Sequence, residues 1–183
     1  MRASARGLVA RLSPVLGLVA VVLIFAVLAD EPGRFLSAFN LRVVLSQTVI
    51  TALGAIGMTM IVVGGGIDLS VGAAIALTGV LAALGLRDGW SPSLAVAAAV
   101  AAGGFIGLVN GAVITTLRVV PFIVTLGMLG TARGTAKWLA NEQTVNVPPS
   151  WVNDLVVTMP KPAWLILPIG VWVVIVLAIL AAL

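Results

Sequence analysis

The sequence predicts an all-α membrane protein, a polytopic bundle with about six transmembrane helices. Of its 183 residues, 61% are hydrophobic and only 9% charged, and the mean hydropathy is +1.24. The apolar residues also fall in blocks long enough to cross a bilayer core, which takes roughly 20 helical residues. Blocks of that length imply helices rather than barrel strands.

The first block, 12–29, follows Arg2, Arg6 and Arg11, and that basic excess favours a cytoplasmic N-terminus. A cleaved signal peptide, cut after Val27-Leu28-Ala29, is the competing reading, but this apolar run is longer than a usual signal core. Further blocks cover 43–63, 69–86, 93–117, 119–140 and 164–183, all within a single transmembrane domain over 1–183. With the N-terminus inside, the connections at 30–42, 87–92 and 141–162 face outward. Lys and Arg in the connections then divide four inside and four outside, so the orientation rests on the N-terminal arginines. Trp90, Trp138, Trp151 and Trp164 fall on the outer side, as a lipid-anchoring aromatic girdle would. The last block runs to Leu183 with no polar tail, which reads as a truncated protein.

Several function classes are excluded. The net charge of +4 comes from ten scattered basic residues that form no patch, which argues against nucleic acid as a partner. With neither Cys nor His, the chain lacks a thiolate nucleophile, the commonest general base and the usual transition-metal ligands, so no catalytic residue and no metal site is assigned. No G-x-x-x-x-G-K-[ST] loop is present, and any ATP hydrolysis belongs to another subunit.

The stretch "VVGGGIDLSVG", 62–72, interrupts the apolar blocks. Gly64, Gly65 and Gly66 permit backbone angles closed to other residues. Asp68 sits where an N-cap belongs, its carboxylate placed to accept from the amides of the next helical turn. Irregular backbone at membrane depth needs cover from protein or a wet cavity. The stretch is therefore either a tight, capped turn at the inner surface or a broken-helix element beside a pathway. In "GGFIGLVNG", Gly103, Gly107 and Gly111 recur every four residues and form a ridge for helix packing. Asn110 beside them needs a partner, either a neighbouring helix or a polar solute. "GGGIDLSVGAAI" over "GGFIGLVNGAVI" matches seven of twelve positions, the mark of an internal repeat. In the fifth block, Arg133 either snorkels to the outer surface or faces a solute. Gln47, Thr48 and Thr51 form a polar stripe near the outer end of the second block.

"GMTMIVVGGGIDLSVGA" (Gly57 to Ala73), "LVNGAVITTLRVVPFIVTLGMLGTARG" (Leu108 to Gly134) and the following "NEQTV" resemble the permease subunits of bacterial ABC sugar importers, those serving ribose, xylose, arabinose and galactose. The resemblance implies a multi-pass permease of the bacterial inner membrane, surrounded by lipid and paired with a second permease copy. It implies cytoplasmic ATP-binding subunits that use ATP and Mg, a periplasmic or lipoprotein sugar-binding protein, and no cofactor held by this chain. Gly65, Gly66, Asp68, Ser70 and Gly72 then border an inner turn or gate, and Gln47, Asn110, Thr125 and Arg133 are candidates for lining the path. A related permease for branched-chain amino acids or nucleosides, and a membrane scaffold with no solute path, are the competing readings. A path predicts water-accessible polar positions, a scaffold buried ones.

Overall fold

The computed structural model describes residues 2–159 and 165–183, with side chains from residue 12 onward. All regular structure among the described residues is helical. In chain order the helices are α1 (Arg2–Leu28), α2 (Pro32–Phe35), α3 (Ala38–Val63), α4 (Val71–Arg87), α5 (Pro92–Leu117), α6 (Pro121–Leu139), α7 (Trp151–Asp154) and α8 (Ile169–Ala181). The chain divides into two compact units, Met1–Leu45 and Ser46–Leu183.

In the first unit, Ser37 opens α3: the Asn40 amide donates to Ser37 Oγ at 3.2 Å, and Asn40 Nδ2 donates back to the Phe35 carbonyl at 2.7 Å. These bonds satisfy groups that a helix start otherwise leaves open. The Arg34–Glu31 pair, at 3.6 Å and exposed, contributes little. The arginine side chains behind the orientation argument, Arg2, Arg6 and Arg11, lie outside the described residues, as does Trp164 of the girdle.

In the second unit, α4 packs against both α5 and α6, which also touch each other. Small residues make this possible: Ala73, Gly85, Ala95, Ala132 and Ala136 are buried, letting the helix backbones approach closely. The long apolar side chains point outward instead, among them Val100, Phe105 and Leu108 on α5. Such a surface is a liability in water and ordinary in lipid.

Helix ends follow the sequence closely. At the end of α3, Gly65 adopts φ +79°, the Gly66 amide donates to the Ile61 carbonyl at 2.9 Å and the Gly65 amide to Val62 at 3.0 Å. This is a Schellman cap with glycine at its left-handed position. α4 ends the same way at Gly89 (φ +87°), and Trp90 folds back so closely over Gly85 that an added Cβ there would stand 2.8 Å from the indole. α6 repeats the pattern without glycine: Asn141 (φ 50°) takes the left-handed position and Glu142 (φ 56°) follows it.

The expected blocks shift at their ends. α3 begins five residues before the 43–63 block, because Ser37 rather than the apolar run fixes its start, and α8 begins at Ile169, after Pro168, rather than at 164. The helices α3 and α5, 26 residues each, are long and apolar enough to cross a membrane by length and composition. α4 and α8 are apolar but shorter, and α6 carries Arg133 and Lys137.

Gly65, like Gly89, holds a left-handed backbone angle that strains any side chain. Gly65→Ala is expected to lower stability by about 1 kcal/mol, and Gly65→Asn by less, since Asn enters the left-handed region more readily. Thermal unfolding of the detergent-solubilised protein checks that order.

Candidate functional site

Between α3 and α4 the chain runs irregularly over 64–70, and its polar groups need partners. One tether comes from α6. The Leu69 amide donates to Thr125 Oγ1 at 3.2 Å, while the same hydroxyl has the Ile67 carbonyl at 3.2 Å and the Phe122 carbonyl at 3.3 Å as acceptors for its own proton. Thr125 is only 2% exposed, so these bonds form away from solvent.

The second tether comes from α5. Asp68 Oδ1 accepts from the Ser70 amide at 2.7 Å and from Ser70 Oγ at 2.6 Å. Ser70 Oγ in turn accepts from Asn110 Nδ2 at 3.0 Å. Protons thus point along one chain from Asn110 through Ser70 to the carboxylate. The expected role of Asp68 needs correction here. Its carboxylate does accept a backbone amide, but from Ser70, the N-cap residue of α4, rather than from the first turn of the helix. An Asx-type turn of two residues is shorter than a capping reach and leaves Ser70 to enter the helix.

Ser70 and Asn110, 1% and 5% exposed, line a cavity of about 310 Å³ together with Asp68. Its other walls are mostly apolar: Leu53 and Gly57 from α3, Ala74 and Ile75 from α4, Ile106 and Gly107 from α5. No Lys or Arg reaches it.

The sequence candidates distribute unevenly around this cavity. Asp68, Ser70 and Asn110 meet at it. Thr125 is buried nearby with its hydroxyl engaged by the loop, which removes it from the cavity wall. Gln47 is exposed on α3, because the inward phase of that helix belongs to Ser46 and Val49. Arg133 is exposed and lines a separate cavity of about 550 Å³ with Lys137, Glu142, Gln143 and Thr144. Gly66 packs tightly, an added Cβ falling 3.2 Å from Ile61 Cγ2, whereas Gly72 has nothing within 4 Å. Along the glycine ridge, an added Cβ would meet Thr78 Cγ2 at 3.6 Å from Gly103 and nothing within 4 Å at Gly107 or Gly111.

Sequence reasoning missed Ser46, whose hydroxyl donates to the Val156 carbonyl and ties α3 to the segment after α7. The signal was there in helical phase, since Ser46, Val49, Leu53 and Gly57 follow one another at spacings of three and four.

The profile of the family described as branched-chain amino acid transport system / permease component matches residues 40–183. The ribose import permease protein of Escherichia coli (strain K12) is 35% identical over 156 residues, covering 81% of this chain and 49% of that protein. The ribose import permease protein of Bacillus subtilis (strain 168) is 39% identical over 128 residues, 70% of this chain and 39% of the relative. The L-arabinose ABC transporter permease protein of Azospirillum brasilense is 37% identical over 156 residues, 84% of this chain and 45% of the relative. The chain thus spans about half the length of the first of these relatives or less. No solved structure matches it.

Thr125→Val keeps the shape but strands the Leu69 amide, so a loss of about 1–3 kcal/mol is expected, with Thr125→Ser close to the parent. Thermal unfolding in detergent, alongside membrane abundance, measures it, and equal melting of the Val variant and the parent would refute the tether.

Proposed function

The chain belongs to the branched-chain amino acid transport system / permease component family, and from that premise we propose that it is the translocation subunit of an ATP-driven importer whose solute is a monosaccharide. The observation that carries the choice of solute is the cavity beside the glycine loop. It offers a carboxylate, a hydroxyl and a carboxamide among apolar walls, with no cation. A neutral polyol meets hydrogen-bonding groups on one side and apolar surface for its C–H faces on the other. The names of the curated relatives, ribose and L-arabinose permeases among them, support the same choice.

A permease component moves its solute without covalent chemistry, so the energy comes from elsewhere. The proposed assembly places this chain in the bacterial inner membrane with about six spans and its N-terminus in the cytoplasm. Cytoplasmic ATP-binding subunits, using ATP and Mg, drive it. A periplasmic or lipoprotein sugar-binding protein delivers the solute, and a second permease copy completes the path. Within that assembly the glycine loop lies on the cytoplasmic side and the Arg133 cavity toward the outside.

Uptake of labelled ribose, xylose, arabinose and galactose by cells carrying the complete operon, with and without this permease, tests the solute. Permease-dependent uptake of at least one sugar is expected, and leucine uptake in place of any sugar would overturn the reading. Topology has its own test, since the chain contains no cysteine. Cysteines introduced singly at Asp88 and Gln143 are expected to react with a membrane-impermeant maleimide in intact spheroplasts, and one at Thr116 only after permeabilisation. The reverse pattern would invert the orientation.

A further inference from the structure

The turn that closes α6 carries charged groups down between the helices. The Leu69–Thr125 bond joins the starts of α4 and α6, and farther along Ala76 and Val80 of α4 share a cavity with Arg133 and Lys137 of α6, so the two helices run side by side in the same direction. After Leu139 the chain does not continue outward. The Glu142 amide donates to the Lys137 carbonyl at 2.9 Å, Asn141 and Glu142 take left-handed angles, and the chain folds back so that Glu142, Gln143 and Thr144 wall the same cavity, of about 550 Å³. The α4 side of that wall ends at Val80, seven residues short of Arg87, which is about 10 Å at 1.5 Å per residue. Its charged residues therefore lie beside the middle of an apolar helix rather than at its rim. Ionisable groups at such depth face a wet cavity or a ligand.

These groups are not spent on one another. Arg133, Lys137, Glu142, Gln143 and Thr144 are all solvent-exposed, and none forms an ion pair or a side-chain hydrogen bond among the described residues. The helix dipole accounts for Lys137 in the last turn of α6, but Arg133 lies a turn deeper and draws little from it. The wall thus offers two fixed cations that donate, a carboxylate that accepts, and an amide and a hydroxyl that do both. A metal cation is opposed by Arg133 and Lys137 and finds a single carboxylate. An anion gains those two residues but meets Glu142. A neutral polyol carries no charge for either sign to oppose, and its hydroxyls both donate and accept. Ala76, Val80 and Ala136 leave apolar surface for its C–H faces, and the volume falls within the usual range of ligand cavities, about 300–1,000 Å³. We propose that this cavity is an outer monosaccharide subsite, in which Arg133 and Lys137 donate to sugar oxygens and Glu142 accepts from a sugar hydroxyl. This inference rests on the permease reading above and adds the place and the residues that receive the sugar on the outer side.

The test uses the complete importer, with its full-length permease, in proteoliposomes that enclose ATP and Mg, the binding protein being supplied outside. Uptake of D-ribose or L-arabinose by the parent importer first establishes the permease reading, with L-leucine as the competing solute. Ala76→Cys then places a thiol on the cavity wall, and its rate of modification by a small methanethiosulfonate reagent is measured with and without the transported sugar. The sugar is expected to slow modification severalfold. Adding Arg133→Gln and Glu142→Gln is expected to abolish that protection and to lower uptake by about tenfold or more at parental abundance, since neither side chain has a bond within the described protein to lose. A second variant leaves every polar group in place: Ala76→Phe fills the cavity from α4 and is expected to lower uptake to a similar degree. Parental uptake by Ala76→Phe overturns the subsite. So does protection that survives the double substitution, or a thiol that never reacts or reacts equally with and without sugar, while sugar uptake by the parent leaves the permease reading standing. Leucine uptake in place of any sugar, or no uptake at all by the parent importer, removes both.

Discussion

A helix interrupted among apolar neighbours exposes amides and carbonyls that lipid cannot satisfy, and this constraint governs the arrangement around residues 64–70. Glycine supplies the angle at Gly65, but conformational freedom alone leaves polar groups open. Thr125 from α6 and Asn110 from α5 supply the partners, the first acting on backbone directly and the second through Ser70 and Asp68. Both helices must lie close to the start of α4 for these bonds to form. The placement of α4 against α5 and α6 and the satisfaction of the loop are therefore one structural fact.

The interior that results is inverted relative to a soluble domain. Most of its buried residues are small, Ala and Gly above all, or polar, as with Ser46, Ser70, Asn110 and Thr125, with Val49, Leu86, Ile106 and Val171 the larger members, while most large aliphatic and aromatic side chains line the outside. Lipid tails remove the usual reason for burying Leu or Phe, so close backbone packing and buried hydrogen bonds carry the association of the helices.

How much of this was legible depends on the range of the interaction. Local rules read well: the glycines at the end of α3 act through their own backbone within a few residues. Asp68 was legible as a polar group serving the turn, but its partner was misjudged, since an Asx-type turn and an N-cap call for the same residue and differ only in register. Asn110 and Thr125 were visible as polar groups needing partners, yet which loop they serve is set by contacts 40 and 58 residues away in sequence. Ser46 escaped because Gln47 and Thr48 beside it are more conspicuously polar, and only helical phase tells that it turns inward. The count of spans was the least legible, since length and hydropathy single out α3 and α5 and leave the shorter helices to packing.

The two tethers of the loop do different work, and that difference bears on function. Thr125 satisfies backbone on both sides of Asp68 and commits its one proton to doing so. Asn110 donates to Ser70 with one end of its amide and leaves the other, Oδ1, buried without a donor. Ser70 stands between them as the first residue of α4's cap and the relay from Asn110 to the carboxylate. Anything that changes the bonding of Asn110 is thus felt at the start of α4 without passing through Thr125.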